Sequence, residues 1–176
     1  MKVIGLAGWS GAGKTTLLAK VIPHLIAEGL TVSAIKHAHH HFDIDVPGKD
    51  SHVIREAGAS EVMVSSGRRW ALMHELRGAD EPRLGELLSR MSRVDLVIVE
   101  GYKTGPHPKI EVHRAANGKP LLFPDDPAIV GIAIDIDLNA NPDADRLPMR
   151  RLDDIAGICA MMRAAAITIE DALALG

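Results

Sequence analysis

The chain has 176 residues, of which 47% are apolar and only 3% aromatic, so a single core has to be built from Ala, Val, Ile and Leu, as in α/β proteins with buried parallel strands. Its formal charge is −3, from 20 basic and 23 acidic side chains, which argues against a bulk electrostatic nucleic-acid binder. A single cysteine, Cys159, excludes an intramolecular disulfide framework and a Cys-based zinc site and fits a reducing compartment, and no apolar run approaches the roughly 18 residues of a membrane helix.

In chain order, residues 2–8 (KVIGLAG) read as a buried strand. The stretch before polar Ser10 is too short for a signal peptide, so a cytoplasmic protein with no membrane partner is expected. Residues 14–28 carry Leu17, Leu18, Val21, Ile22, Leu25 and Ile26 at helical spacing, with Pro23 expected to kink or break the helix and Gly29 to stop it. A second strand is predicted over 31–37, a loop over 38–50 and a short helix over 51–57 with Asp50 at its start. Residues 60–65 and 70–76 are strand candidates joined by Ser66-Gly67-Arg68-Arg69. A modest helix over 83–92 precedes the most apolar strand, 94–99 (VDLVIV). Strands are also expected over 109–113 and 129–136, a loop over 139–148 and a helix over 152–165, with Asp153 and Asp154 near its positive end. The tail at 168–175 has no clear pattern. This order predicts one domain over 1–176: a three-layer α/β sheet, mostly parallel, with helices on both faces and a hairpin-like insertion around 60–76.

The sharpest motif is Gly8-Trp9-Ser10-Gly11-Ala12-Gly13-Lys14-Thr15, which fits G-x-x-x-x-G-K-[ST] and lies between a strand and a helix. Glycines let backbone amides turn toward phosphate oxygens, and a helix start adds positive potential. Lys14 is expected to neutralise β- and γ-phosphate charge and the Thr15 hydroxyl to coordinate Mg²⁺. Ser10, Gly11, Ala12, Gly13 and Thr16 would add backbone or side-chain contacts. The fold class is therefore that of a phosphate-loop NTPase.

A second acid is needed for the metal, and Asp95 and Glu100 compete. Nucleotides lie beyond the carboxyl ends of parallel strands. Asp95 is about five residues, roughly 16 Å, upstream. Glu100 is thus the better metal-side carboxylate, and Gly101 would permit close backbone approach to the γ-phosphate.

The stretch from Lys36 and His37 to Asp50 follows the second strand and emerges at the same end as the phosphate loop. Its histidines allow a transition-metal site, a solvated loop, or a switch-type segment in which Lys36, His37, Asp43 and Asp45 face the γ-phosphate, its Mg²⁺ or an acceptor. Its placement favours the switch reading, with Asp45 among the catalytic candidates.

Taken together, Gly8–Thr16, the run Ile35-Lys36-His37-Ala38-His39-His40, and Asp43 through Ser51 (DIDVPGKDS) resemble the family of molybdopterin-guanine dinucleotide biosynthesis protein B. Arg69-Trp70-Ala71-Leu72-Met73 and Leu96 through Lys103 (LVIVEGYK) extend the resemblance, which spans residues 2 to about 137. It implies a homodimeric GTP-binding protein of molybdenum-cofactor biosynthesis with weak Mg²⁺-dependent GTPase activity. It further implies an accessory to the guanylyltransferase that joins GMP to molybdopterin, with molybdopterin itself a candidate ligand. No Asn-Lys-x-Asp guanine signature is present, and Asp135 or Asp137 could accept from the guanine edge. Two rival classes stay open on the residues alone. One is a small-molecule kinase moving the γ-phosphoryl group to an acceptor, with Arg68, Arg69, Arg77 and Arg83 available for a lid; the other is a nucleotide-gated metal chaperone.

Overall fold

The computed structural model describes residues 1–38, 42–102, 105–136 and 147–175. These divide into two compact units, Met1–His37 with Leu84 to the C-terminus, and Ala38–Arg83.

The first unit is built on a seven-stranded sheet. Strands β1 (Lys2–Ala7), β2 (Val32–Lys36), β5 (Leu96–Glu100), β6 (Lys109–His113), β7 (Ile129–Ile134) and β8 (Met149–Arg151) lie in the order β2-β5-β1-β6-β7-β8, all parallel. One edge of β1 is shared. Its first residues pair antiparallel with β9 (Ile167–Thr168), and β6 takes over from Gly5 onward. Helices α1 (Lys14–Ala27) and α4 (Ile155–Ala165) cover one face, where Leu17, Val21, Leu25, Ile158 and Met162 meet Ile4, Leu6, Ile98 and Ile110. Helices α3 (Leu84–Arg90) and α5 (Ile169–Ala174) lie on the other, where Leu88 packs with Val3, Val97 and Val99. Further along that face, Phe123 packs with Ile132, Ile134 and Met149. The mostly parallel three-layer architecture is the one expected. Among the described residues, no helix is long and apolar enough to cross a membrane.

Local departures from the expectation have physical causes. Pro23 does not break α1; the helix runs through it, held by buried Val21 and Leu25 on either side. It ends as anticipated, with Gly29 N–H bonded to the Ile26 carbonyl and Leu30 N–H to that of Leu25. Helix α4 starts three residues later than its apolar pattern, because Asp154 caps it by accepting from Gly157 N–H at 2.9 Å. The short strand β8 was not anticipated, and the patternless tail forms β9 and α5, with Thr168 capping the latter. Most of the expected 139–148 loop lies outside the described residues. Cys159 is fully buried, and burial pushes its thiol up to about 11, so it is inert at neutral pH.

The second unit holds α2 (Asp50–Glu56) and an antiparallel hairpin of β3 (Glu61–Ser65) and β4 (Trp70–His74), the insertion expected around 60–76. Among its described residues Val62 is the one buried hydrophobic side chain. Its cohesion is polar. The Arg55 guanidinium reaches Asp43 at 2.8 Å, Asp45 at 3.4 Å and Glu75 at 3.4 Å, and Ser51 donates to Asp45 at 2.6 Å. Arg77 donates to the Arg55 and Ala59 carbonyls.

Strand β6 carries an unusual interior. Lys109 and Glu111, which alternate with Ile110 and Val112, are buried on the opposite side from them. Lys109 pairs with Asp126 at 2.7 Å, and the Glu111 carboxylate accepts from the Leu122 and Phe123 amides. His107 is 1% exposed, lies over Gly5, and has no hydrogen-bond partner on either ring nitrogen among the described residues. A Cβ at Gly5 would stand 2.6 Å from His107 Nε2, so only glycine admits the ring there.

Burial, aided by the Lys109 charge and opposed by Asp126, lowers the His107 pKa to about 4 from 6.5. The unfolded chain therefore takes up this proton at higher pH than the native one. Stability should fall between pH 6.5 and 4, by about 1.4 kcal/mol per unit and about 3 kcal/mol in all. Replacing His107 with Leu should flatten that limb of the stability–pH curve, as read by urea unfolding from pH 7.5 to 4. An unchanged slope in the variant would show that other groups control it.

Candidate functional site

The carboxyl ends of β1, β2 and β5 bring most of the expected residues together. Between β1 and α1 the chain makes a tight loop in which Gly8, Gly11 and Gly13 have φ of 141°, 81° and 90°. Such angles strain any residue with a Cβ, and Gly13 stands where a capping side chain would otherwise sit at the start of α1. The first-turn amides of α1 therefore open into the loop without a side-chain cap. Lys14 curls back over the loop, its Nζ donating to the Gly8 carbonyl at 2.9 Å and the Trp9 carbonyl at 3.1 Å. One backbone bond also closes the loop internally, from Ala12 N–H to the Trp9 carbonyl.

Glu100 ends β5 and is 8% exposed. Its carboxylate accepts from the Thr15 hydroxyl, with the two oxygens at 3.3 and 3.5 Å. A hydroxyl and a carboxylate side by side at the start of a helix are hard oxygen donors, the kind Mg²⁺ takes. The residues present thus fit the ion that the motif implies. Asp95, at the other end of the strand, accepts from Thr31 N–H at 2.8 Å and the Thr31 hydroxyl at 2.6 Å. These bonds hold its carboxyl below the usual range.

Lys36 pairs in register with Glu100, and His37 N–H donates to the Glu100 carbonyl at 2.7 Å. The His37 ring packs against Tyr102, with centroids 4.9 Å apart. Gly101, at φ 101°, lies against His37 so closely that a Cβ would meet its carbonyl oxygen at 2.7 Å. Thr15, Lys36, His37, Glu100 and Gly101 thus share one edge of the sheet. Thr16 is exposed on the first turn of α1.

Asp45 lies in the second unit, where its carboxylate is held by Arg55 and Ser51, and Asp43 accepts from Arg55 and from Asp45 N–H. His39, His40, Lys103 and Asp137 lie outside the described residues. Among the described residues no group of three His, Cys, Asp or Glu side chains is arranged to hold a metal ion. Asp135 accepts from Ala115 N–H at 2.9 Å, with Arg114 Nη1 at 3.8 Å.

Sequence reasoning missed the segment after β6. Arg114 Nε donates to the Ala12 carbonyl at 3.1 Å and Asn117 Nδ2 to the Ser10 carbonyl at 3.1 Å. The Trp9 indole donates to the Pro120 carbonyl at 2.8 Å, and Lys119 Nζ stands 5.8 Å from the Trp9 ring centroid. The available signal was positional: a polar stretch leaving a strand next to β1 reaches the same end of the sheet.

The model of a family described as molybdopterin guanine dinucleotide synthesis protein B matches residues 3–135. The molybdopterin-guanine dinucleotide biosynthesis adapter protein of Escherichia coli (strain K12) is 41% identical over 159 residues, covering 89% of this chain and 88% of that protein. The adapter protein of the same description from Haemophilus influenzae is 48% identical over 122 residues, covering 68% and 67%. A crystal structure of molybdopterin-guanine biosynthesis protein B superposes with a TM-score of 0.71 at 24% identity, covering 92% of this chain and 98% of the other. That of Bacillus subtilis MobB gives 0.70 at 21% identity, covering 95% and 99%. At these identities the two structures speak for the fold alone.

The different surroundings of the two acids on β5 lead to a direct comparison. Glu100→Gln should abolish the Mg²⁺ dependence of nucleotide affinity and leave the melting temperature within about 2 °C, since the amide still accepts from Thr15. Asp95→Asn should lower the melting temperature without changing the Mg²⁺ dependence. Calorimetric titration with and without Mg²⁺, paired with thermal scans, separates the two, and equal effects would sink the assignment of Glu100 to the metal.

Proposed function

The chain belongs to the molybdopterin guanine dinucleotide synthesis protein B family, and from that premise we propose that it is a GTP-binding adapter in the biosynthesis of molybdopterin guanine dinucleotide. In this reading it hydrolyses GTP slowly and assists the guanylyltransferase that joins GMP to molybdopterin, working in the cytoplasm as a homodimer. The observation that carries the nucleotide half is the Thr15–Glu100 contact directly beneath the glycine loop. It supports a site in which phosphates rest on backbone amides and a divalent cation on a hydroxyl and a carboxylate.

Each group then has a definite task. The amides of Gly11 through Thr15 bind phosphate oxygens, and the Lys14 ammonium leaves the Gly8 and Trp9 carbonyls to pair with β- and γ-phosphate charge. Thr15 and Glu100 would hold Mg²⁺, which when bound neutralises charge on the β- and γ-oxygens. Hydrolysis breaks the bond between the γ-phosphorus and the β–γ bridging oxygen, as a water oxygen bonds to the phosphorus; one of the water's protons stays on the phosphate and the other passes to solvent. GDP and inorganic phosphate are the products. Slow turnover suits an adapter whose bound nucleotide must outlast an encounter with a partner. The homodimer is supported by the exposed Met63, Trp70 and Leu72, which share one face of the β3–β4 hairpin.

Lys14→Ala should lower GTP affinity by at least tenfold with an unaltered fold, because the side chain leaves no core behind. Phosphate release by the wild type should be slow and indifferent to added small-molecule acceptors. A purified sample that binds no nucleotide, or that turns over quickly only when an acceptor is supplied, would overturn the reading in favour of a kinase or another role.

A further inference from the structure

The phosphate loop is not self-supporting. It has three glycines at positive φ and a single internal backbone bond, so the free segment would sample many conformations. Lys14 draws in the Gly8 and Trp9 carbonyls, and the rest of the loop is held from outside. Of the four side-chain bonds that reach residues 9–12 among the described residues, one comes from Lys14 to the Trp9 carbonyl and three go to the stretch 114–120: Arg114 to the Ala12 carbonyl, Asn117 to the Ser10 carbonyl, and the Trp9 indole to the Pro120 carbonyl.

Peptide geometry gives these bonds a consequence. In a trans peptide the C=O and the following N–H point in opposite directions. Drawing the Ser10 carbonyl outward to Asn117 turns the Gly11 N–H inward. Drawing the Ala12 carbonyl outward to Arg114 does the same for the Gly13 N–H. Asn117 and Arg114 lie close on the two glycines: a Cβ at Gly11 would stand 3.1 Å from Asn117 Oδ1, and one at Gly13 2.9 Å from Arg114 Nε. The stretch is itself anchored. A 3-10 turn over Ala115–Asn117 closes it, and Asp135 at the end of β7 accepts from Ala115 N–H.

We propose that residues 114–120 form a strap that presets the phosphate loop for anion binding, with Arg114 and Asn117 as positioning residues that aim the Gly13 and Gly11 amides at phosphate. This rests on the nucleotide-binding reading above and adds to it the residues on which phosphate affinity depends. Because the strap acts on the loop backbone, its removal weakens every ligand that carries the phosphate chain, whatever base is attached.

The test uses the full chain with Trp70→Phe, which leaves Trp9 as the lone tryptophan and so a fluorescent reporter within the loop. Inorganic tripolyphosphate, GTP and ATP are titrated in the presence of Mg²⁺ into this protein and into Asn117→Ala, Asn117→Asp, Arg114→Ala and Arg114→Lys. Each variant should lose affinity for all three ligands by the same factor, about threefold to tenfold per lost hydrogen bond. Asn117→Asp should lose at least as much as Asn117→Ala, since its carboxylate would face the Ser10 carbonyl. Melting temperature is followed throughout, and Asn117→Asp and Arg114→Lys, which keep the side-chain bulk, carry the comparison should an alanine variant fail to fold. Unchanged tripolyphosphate affinity with weakened GTP or ATP would mean that the strap touches base or ribose, and would overturn the proposal. So would wild-type affinity for all three. If the unaltered protein bound none of the ligands, the nucleotide reading itself would fail first.

Discussion

The register of β1 against β5 is the constraint on which the site depends. Lys2 lies opposite Leu96 and Leu6 opposite Glu100, so the last residue of β5 arrives where β1 gives way to the glycine loop. Shifting that pairing by one residue would reverse the faces of β5, turning Ile98 out of the α1–α4 core and Glu100 away from Thr15. The hydrophobic side of the strand and its terminal acid are thus fixed by the same pairing. On the other flank, parallel pairing of β1 with β6 delivers Arg114 to the same end. One central strand therefore sets a carboxylate on one side of the loop and a guanidinium on the other.

The interior of β6 shows how the first unit accommodates charge. Lys109 and Glu111 have opposite signs and separate solutions: an ion pair with Asp126, and two backbone amides from Leu122 and Phe123. Those amides belong to the segment that carries Phe123 into the apolar layer beside Ile132 and Ile134. The buried carboxylate thus ties down a loop that has no strand to pair with. Burial raises its pKa despite the two amides.

Much of this was legible in the amino-acid sequence because the information is local. The glycine motif is contiguous, the apolar run of β5 ends in Glu100, and the turn Ser66–Arg69 stands between two alternating stretches. The strap was not legible, since Arg114 and Asn117 act on residues 102 and 107 positions away and follow no local pattern. Strand β8 is three residues long and the tail pairs with β1 through only two, too short for a periodicity to show. Asp45 illustrates the opposite difficulty. A carboxylate in a conspicuous motif has a ready partner ten residues away, and only coordinates reveal that Arg55 holds it.

The Arg55 hub gives the two units different physical characters. The first is held mainly by buried hydrocarbon, an attraction that charge screening does not touch. The second has one buried hydrophobic side chain among its described residues and is held by charges, at least one of them, Asp43, about half exposed. Such attractions weaken as the Debye length shortens, from about 10 Å at 0.1 M to 3 Å at 1 M. Added salt therefore acts first on the half-exposed Arg55–Asp43 contact of the α2 and hairpin region, and much less on the buried Arg55–Asp45 contact or on the apolar core of the seven-stranded sheet.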